Sequence, residues 1–124
     1  MTAKRTCLVV DDSRTLRGLL RRLLESLGFT VVEAEDGLAA LECCRRSMPD
    51  VVFLDWHMPR MDGLAFLLAL RREFAGSKPV VIFCTSVDDI ERIQEALDAG
   101  ADEYVMKPFD RNIVRLKLEQ TGVL

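Results

Sequence analysis

Short, unbroken apolar runs alternate with longer amphipathic segments along this chain, and that alternation admits few folds. Cys7–Val10, Val51–Leu54 and Val80–Cys84 contain no charged or amide side chain. Such continuous runs suit parallel strands covered on both faces. Thr30–Ala34 and Tyr104–Met106 read as two further strands. Between the strands the apolar spacing becomes helical. Ser13 offers an N-cap, Leu16, Leu19, Leu20, Leu23, Leu24 and Leu27 follow as one stripe, and Gly28 stands where a helix ends in positive φ. Leu38–Arg46 is opened by Asp36-Gly37 and stops before Pro49. A third helix runs from about Gly63 to Phe74, with Leu64, Leu67 and Leu68 inward. The fourth spans Asp89–Ala99, carries Ile90, Ile93 and Leu97, and ends at Gly100. Asp110 caps a fifth that reaches about Gln120.

Five strands alternating with five helices imply a doubly wound α/β domain, a parallel sheet with helices on both faces. The 124 residues suit a single domain over 1–124, and a 49% hydrophobic content is enough for its core. A net charge of -3 argues against nucleic acid or anionic membranes as the main partner. No apolar run approaches the roughly 18 residues of a membrane span. Met1–Thr6 is basic but lacks the long apolar region of a secretory signal, so a cytoplasmic protein is expected. Cys7, Cys43, Cys44 and Cys84 have no C-x-x-C spacing and are expected to be reduced, packed thiols.

In such sheets ligands bind beyond the carboxyl ends of the strands. The residues there are Asp11-Asp12 after strand one, Asp55 after strand three, Thr85-Ser86 after strand four and Lys107-Pro108 after strand five. Any one of them is ordinary turn or capping chemistry. Together they bring three carboxylates, a hydroxyl and an ammonium to one edge. Two carboxylates about 4 Å apart repel by roughly 4 kcal/mol at an effective dielectric near 20, so the group needs a cation. All-oxygen donors suit a hard ion such as Mg²⁺, which readily shares phosphate oxygens. A carboxylate beside such an ion, with Lys107 and Thr85 to hold phosphoryl oxygens, points to covalent chemistry through an acyl phosphate.

Asp11-Asp12, Asp55 with Met58-Pro59 and Asp62-Gly63, Thr85-Ser86 and Lys107-Pro108-Phe109 resemble the signature of two-component response-regulator receiver domains over nearly the whole chain. Asp55 to Leu64 is most similar to the single-domain chemotaxis (CheY-like) regulators. The resemblance implies a (βα)5 flavodoxin-like fold with strand order 2-1-3-4-5. It implies that Asp55 accepts a phosphoryl group from a sensor histidine kinase. Asp11, Asp12, Asp55 and the backbone carbonyl of His57 would hold Mg²⁺, and Thr85 and Lys107 would hold the phosphoryl oxygens. Tyr104 would be the switch aromatic, and the Lys107–Pro108 bond would be cis.

His57 stands where the chemotaxis regulators often carry Asn, and Val87 where an acidic residue is common. Both flank the path of the attacking water in that family, so both are expected to slow hydrolysis of the phosphorylated state. Trp56 is expected in a loop beside the site, and the arginines of the first helix on a solvated face. Two apolar faces on the last helix, Ile113/Leu116 and Val114/Leu118, suggest a surface for a partner or for self-association. With the chain ending near Leu124, no output domain is expected. The readout would then be binding of another protein by a monomer, such as a flagellar motor switch component. A haloacid-dehalogenase-type phosphotransferase wants a second Asp two residues after the nucleophile, where Asp55 has His57. A nucleotide-binding domain wants a Gly-rich turn that Asp11-Asp12-Ser13-Arg14 does not supply. Relay intermediate, phosphate sink, cell-cycle receiver and phosphorylation-independent binding module are the remaining alternatives.

Overall fold

The computed structural model describes residues 4–76 and 79–124, so residues 1–3 of the basic segment Met1–Thr6 lie outside the described residues. The order is β1 (Thr6–Val10), α1 (Arg14–Ser26), β2 (Thr30–Ala34), α2 (Gly37–Arg46), β3 (Val51–Asp55), α3 (Gly63–Glu73), β4 (Val80–Thr85), a 3₁₀ turn (Val87–Asp89), α4 (Arg92–Asp98), β5 (Glu103–Met106) and α5 (Arg111–Gln120). The five strands form one sheet in the order β2-β1-β3-β4-β5, and all four pairings are parallel. The doubly wound topology expected from the alternation is therefore the one observed.

Side-chain alternation along the strands sorts the apolar residues into two cores. Leu8, Val10, Leu54 and Phe83 face α2, α3 and α4 through Leu41, Phe66, Leu70 and Ala96. Cys7, Val9, Phe53 and Ile82 face α1 and α5 through Leu20, Leu24, Val114 and Leu118. The thiols are free, and those of Cys7, Cys44 and Cys84 are buried.

Several helices sit differently from their sequence periodicity. On α1 only Leu20 and Leu24 are fully buried, while Leu16 and Leu19 stay exposed. The stripe is wider than the sheet face beneath it. On α3 the inward residues are Phe66, Leu67 and Leu70, and Leu68 faces solvent. On α5 Ile113 packs partly against the sheet, leaving Leu116 as the exposed apolar residue of its second face. The fourth helix begins three residues later than expected, after the 3₁₀ turn. Asp89 does not cap it, because its carboxylate is taken by His57 at 3.1 Å and Arg92 at 3.4 Å. Nor are the arginines of α1 simply solvated. Arg17 and Arg21 both pair with Glu33 on β2, and Arg17 also donates to the Asp11 carbonyl at 2.7 Å.

Two polar anchors hold the segments around the sheet. At the carboxyl edge, buried Asp36 caps α2 by accepting from the Ala39 N–H at 2.9 Å, and its other oxygen takes Arg60 from the β3–α3 loop at 2.6 and 2.8 Å. At the opposite edge, Arg71 donates to the Gly100 carbonyl at 3.0 and 2.8 Å, to the Pro79 carbonyl at 2.9 Å and to Asp102 at 3.0 Å. Asp102 in turn accepts from the Val81 N–H at 2.8 Å.

The Ala39 N–H, with Arg60 beside it, holds the Asp36 carboxyl below its usual range despite burial. A depressed value contributes stability at neutral pH that fades as pH falls through the folded-state value. Asp36→Ala is expected to cost about 1–2 kcal/mol at pH 7, with a gap that narrows below the ordinary carboxylate value of 3.8. Urea denaturation at two pH values checks both parts.

Candidate functional site

The parallel sheet brings the ends of β1, β3, β4 and β5 side by side, and their last side chains meet. Asp55 closes β3 and lies opposite Cys84 in the register, one residue before Thr85. Asp11, Asp12 and Asp55 each offer a carboxylate oxygen within 4.8 Å of the others. Lys107 reaches in from the end of β5, its Nζ 3.1 Å from Asp55 Oδ1 and 3.5 Å from Asp11 Oδ2. It follows the strand because its N–H donates to the Thr85 carbonyl at 2.6 Å, and it precedes a cis bond to Pro108. Asp11 is buried and fixed by the Ser13 N–H at 2.8 Å, whereas Asp12 is exposed.

Burial pushes the Asp55 carboxyl above its usual range, and the Asp11 charge adds to that, while Lys107 pulls in the other direction. For Lys107 burial opposes the charge, but Asp55 and Asp11 outweigh it and the ammonium is held above its ordinary value. One ammonium thus faces two carboxylates, with Asp12 as a third at the rim, so negative charge is in excess. Oxygen-only donors and uncompensated charge fit a hard divalent cation. The imidazole of His57 is not part of that donor set, because its Nε2 turns to Asp89 at 3.1 Å. The buried Thr85 also lines the pocket, its hydroxyl 3.3 Å from the Asp89 carbonyl.

Of the remaining expected residues, Tyr104 is half-buried at the second position of β5, with the Lys117 ammonium 4.5 Å from its ring centre. Val87 is 71% exposed and does not line the pocket around Asp55. Trp56 is in the loop, as expected, yet it is buried against Phe83 with ring centres 5.3 Å apart. Sequence reasoning missed Asp89 as a neighbour of the site, having assigned it to a helix start. No local pattern marked it, since Asp89 ends the 3₁₀ turn that follows β4 and its partner His57 is 32 positions away in the chain.

The sequence from residue 7 to residue 119 matches the response regulator receiver domain family. The chain belongs to that family.

Other receivers and regulators show the same kinship. A mycobacterial response regulator, MprA of Mycobacterium sp. (strain KMS), is 43% identical over 102 residues, 82% of this chain and 44% of its own length. The receiver thus spans less than half the length of such curated relatives. Among solved structures, the Vibrio cholerae chemotaxis protein CheY4 is 29% identical with a TM-score of 0.87, over 96% of this chain and 99% of that one. The receiver domain of NtrX from Brucella abortus is 31% identical with a TM-score of 0.85, over 93% and 96% of the two chains.

Proposed function

We propose that this receiver is a phosphorylation-controlled switch in which Asp55 accepts a phosphoryl group from a sensor histidine kinase. The observation that carries the reading is Asp55 held at 3.1 Å by Lys107 inside a three-carboxylate group at the strand ends. In the transfer, an Asp55 carboxylate oxygen attacks phosphorus. An O–P bond forms as the N–P bond to the donor imidazole breaks, and the imidazole leaves. Asp11, Asp12, Asp55 and the His57 backbone carbonyl would hold Mg²⁺, whose charge offsets that of the carboxylates and the phosphoryl oxygens. Lys107 keeps its position and pairs with a phosphoryl oxygen. Thr85 turns its hydroxyl from the Asp89 carbonyl to another, and Tyr104 moves into the space it leaves. The change is a shift between two packings, because the new acceptor oxygens favour one of them. His57, at the mouth of the pocket, slows the approach of water to the acyl phosphate.

An apolar groove beside the site, lined by Leu16, Leu19, Leu23, Pro108 and Phe109, suits the kinase helix that presents the phosphohistidine. The receiver over 1–124 then reports through binding of a target protein. The likeness to CheY4, with a TM-score of 0.87, favours chemotaxis, with a flagellar motor switch component as the target. The 44% coverage of MprA favours a second reading, a receiver that serves a larger regulator or a relay. Affinity capture with beryllium fluoride-loaded protein separates them: a motor component supports the first, a histidine phosphotransfer protein or DNA-binding partner the second.

Buried Trp56 adjoins the acceptor, so its fluorescence reports the event. Adding Mg²⁺ and beryllium fluoride is expected to give a saturable change that Asp55→Asn abolishes. No response in the wild-type protein would overturn the reading.

A further inference from the structure

Around the mouth of the pocket, contacts close into a ring. His57 Nε2 meets Asp89 Oδ2 at 3.1 Å, and the other oxygen of Asp89 lies 3.4 Å from Arg92 Nε. The Arg92 guanidinium sits 5.1 Å from the centre of the Trp56 ring, and Trp56 is bonded covalently to His57. The ring therefore ties the 3₁₀ turn and the start of α4 to the two residues that follow Asp55. Its centre is Asp89, whose backbone carbonyl also receives the Thr85 hydroxyl at 3.3 Å. The hydroxyl that must reach an added phosphoryl group also lies 3.4 Å from the Ser86 carbonyl, and is thus held in part by a residue whose side chain is itself held.

We propose that Asp89 is a positioning residue, a latch that keeps the Thr85–Asp89 segment in its unphosphorylated arrangement and so restrains phosphorylation of Asp55. The proposal rests on the acceptor role of Asp55. Asp89 touches neither the acceptor nor a phosphoryl oxygen. It acts through His57 on one side and Thr85 on the other. An uncapped helix start makes the segment easy to move once released, because neither the 3₁₀ turn nor α4 has a side-chain cap of its own.

The two-state view fixes the direction of the effect. Contacts present only in the unphosphorylated packing lower the population of the other, and removing them raises it. The pairs are partly exposed, so the effect is moderate, about two- to fivefold. The experiment labels wild type, His57→Ala, Asp89→Ala, Asp89→Asn and the double alanine variant with acetyl phosphate and Mg²⁺, following the initial rate of labelling by mobility shift, before hydrolysis contributes. Thermal melts verify that each variant is folded. Both single alanine variants are expected to label about two- to fivefold faster than wild type, and the double variant no faster than either. Asp89→Asn, which keeps an acceptor for His57, is expected to stay near wild type. If wild type takes no label, the acceptor role of Asp55 fails. If wild type labels but Asp89→Ala is equal or slower, or the two single effects add in full, the latch is overturned.

Discussion

Asp55→Asn will take no phosphoryl group from a kinase or from acetyl phosphate, and in metal-free buffer at pH 7 it will melt at a higher temperature than wild type. The first half follows from the loss of the attacking oxygen. The second follows from the charge balance of the site. Burial and the Asp11 charge raise the Asp55 carboxyl above its usual range, with Lys107 opposing. A carboxyl whose folded-state value is raised favours the native state at low pH, and that contribution is lost as pH rises through the folded value. At neutral pH its charge is therefore a cost, which asparagine removes. Carboxylates within 4.8 Å of one another repel by about 3.5 kcal/mol or more per pair at an effective dielectric near 20, before Lys107 is counted. A net gain of about 1 kcal/mol corresponds to roughly 3–5 °C for a domain of this size. Mg²⁺ is expected to stabilise wild type and to narrow the gap. Calorimetry with chelator and then with Mg²⁺ checks the sign; a variant that melts lower in chelator would refute the account.

Gly63→Ala is expected to cost about 2–4 kcal/mol and to slow labelling of Asp55 by at least about tenfold through displacement of the acceptor. Alanine usually improves a helix, so the sign is informative. Gly63 opens α3 with its N–H on the Trp56 carbonyl at 2.9 Å. A Cβ there would collide with the Asp55 backbone carbonyl oxygen and stand 3.0 Å from the Trp56 Cα. Both are main-chain atoms and cannot rotate aside. Either α3 retreats and that hydrogen bond breaks, or the Asp55 peptide moves. Urea denaturation together with acetyl phosphate labelling measures the two effects, and a variant as stable and as reactive as wild type would sink the prediction.

What was legible in the sequence was whatever a local pattern encodes. Unbroken apolar runs marked the central strands, and the residues just after them marked the site, since a parallel sheet puts all those ends on one edge. Asp11, Asp55, Thr85 and Lys107 meet there as expected. Contacts between distant loops left no such trace. Nothing in the spacing ties His57 to Asp89, or Arg60 to Asp36, because each pair is joined only when two loops fold over the same edge. The start of α4 was misplaced for that reason: Asp89 has the composition of a cap, but its carboxylate is drawn to His57 and Arg92. Trp56 showed the same limit in reverse. Its place beside Asp55 was plain, while its burial against Phe83 depends on a strand that follows it in the chain.

The Arg71 anchor gives α4 two unlike ends. Beyond its carboxyl end the chain is fastened at Gly100 and Asp102 by several hydrogen bonds. Its other end meets the site through the side chains of Asp89 and Arg92. A helix fastened in this way moves as a door does on its hinge. On the proposed switch, a displacement started at Thr85 would grow toward the jamb and vanish at the pivot. A binding partner that rests near Gly100 would feel little of the event, and one that grips the opening edge would feel most of it.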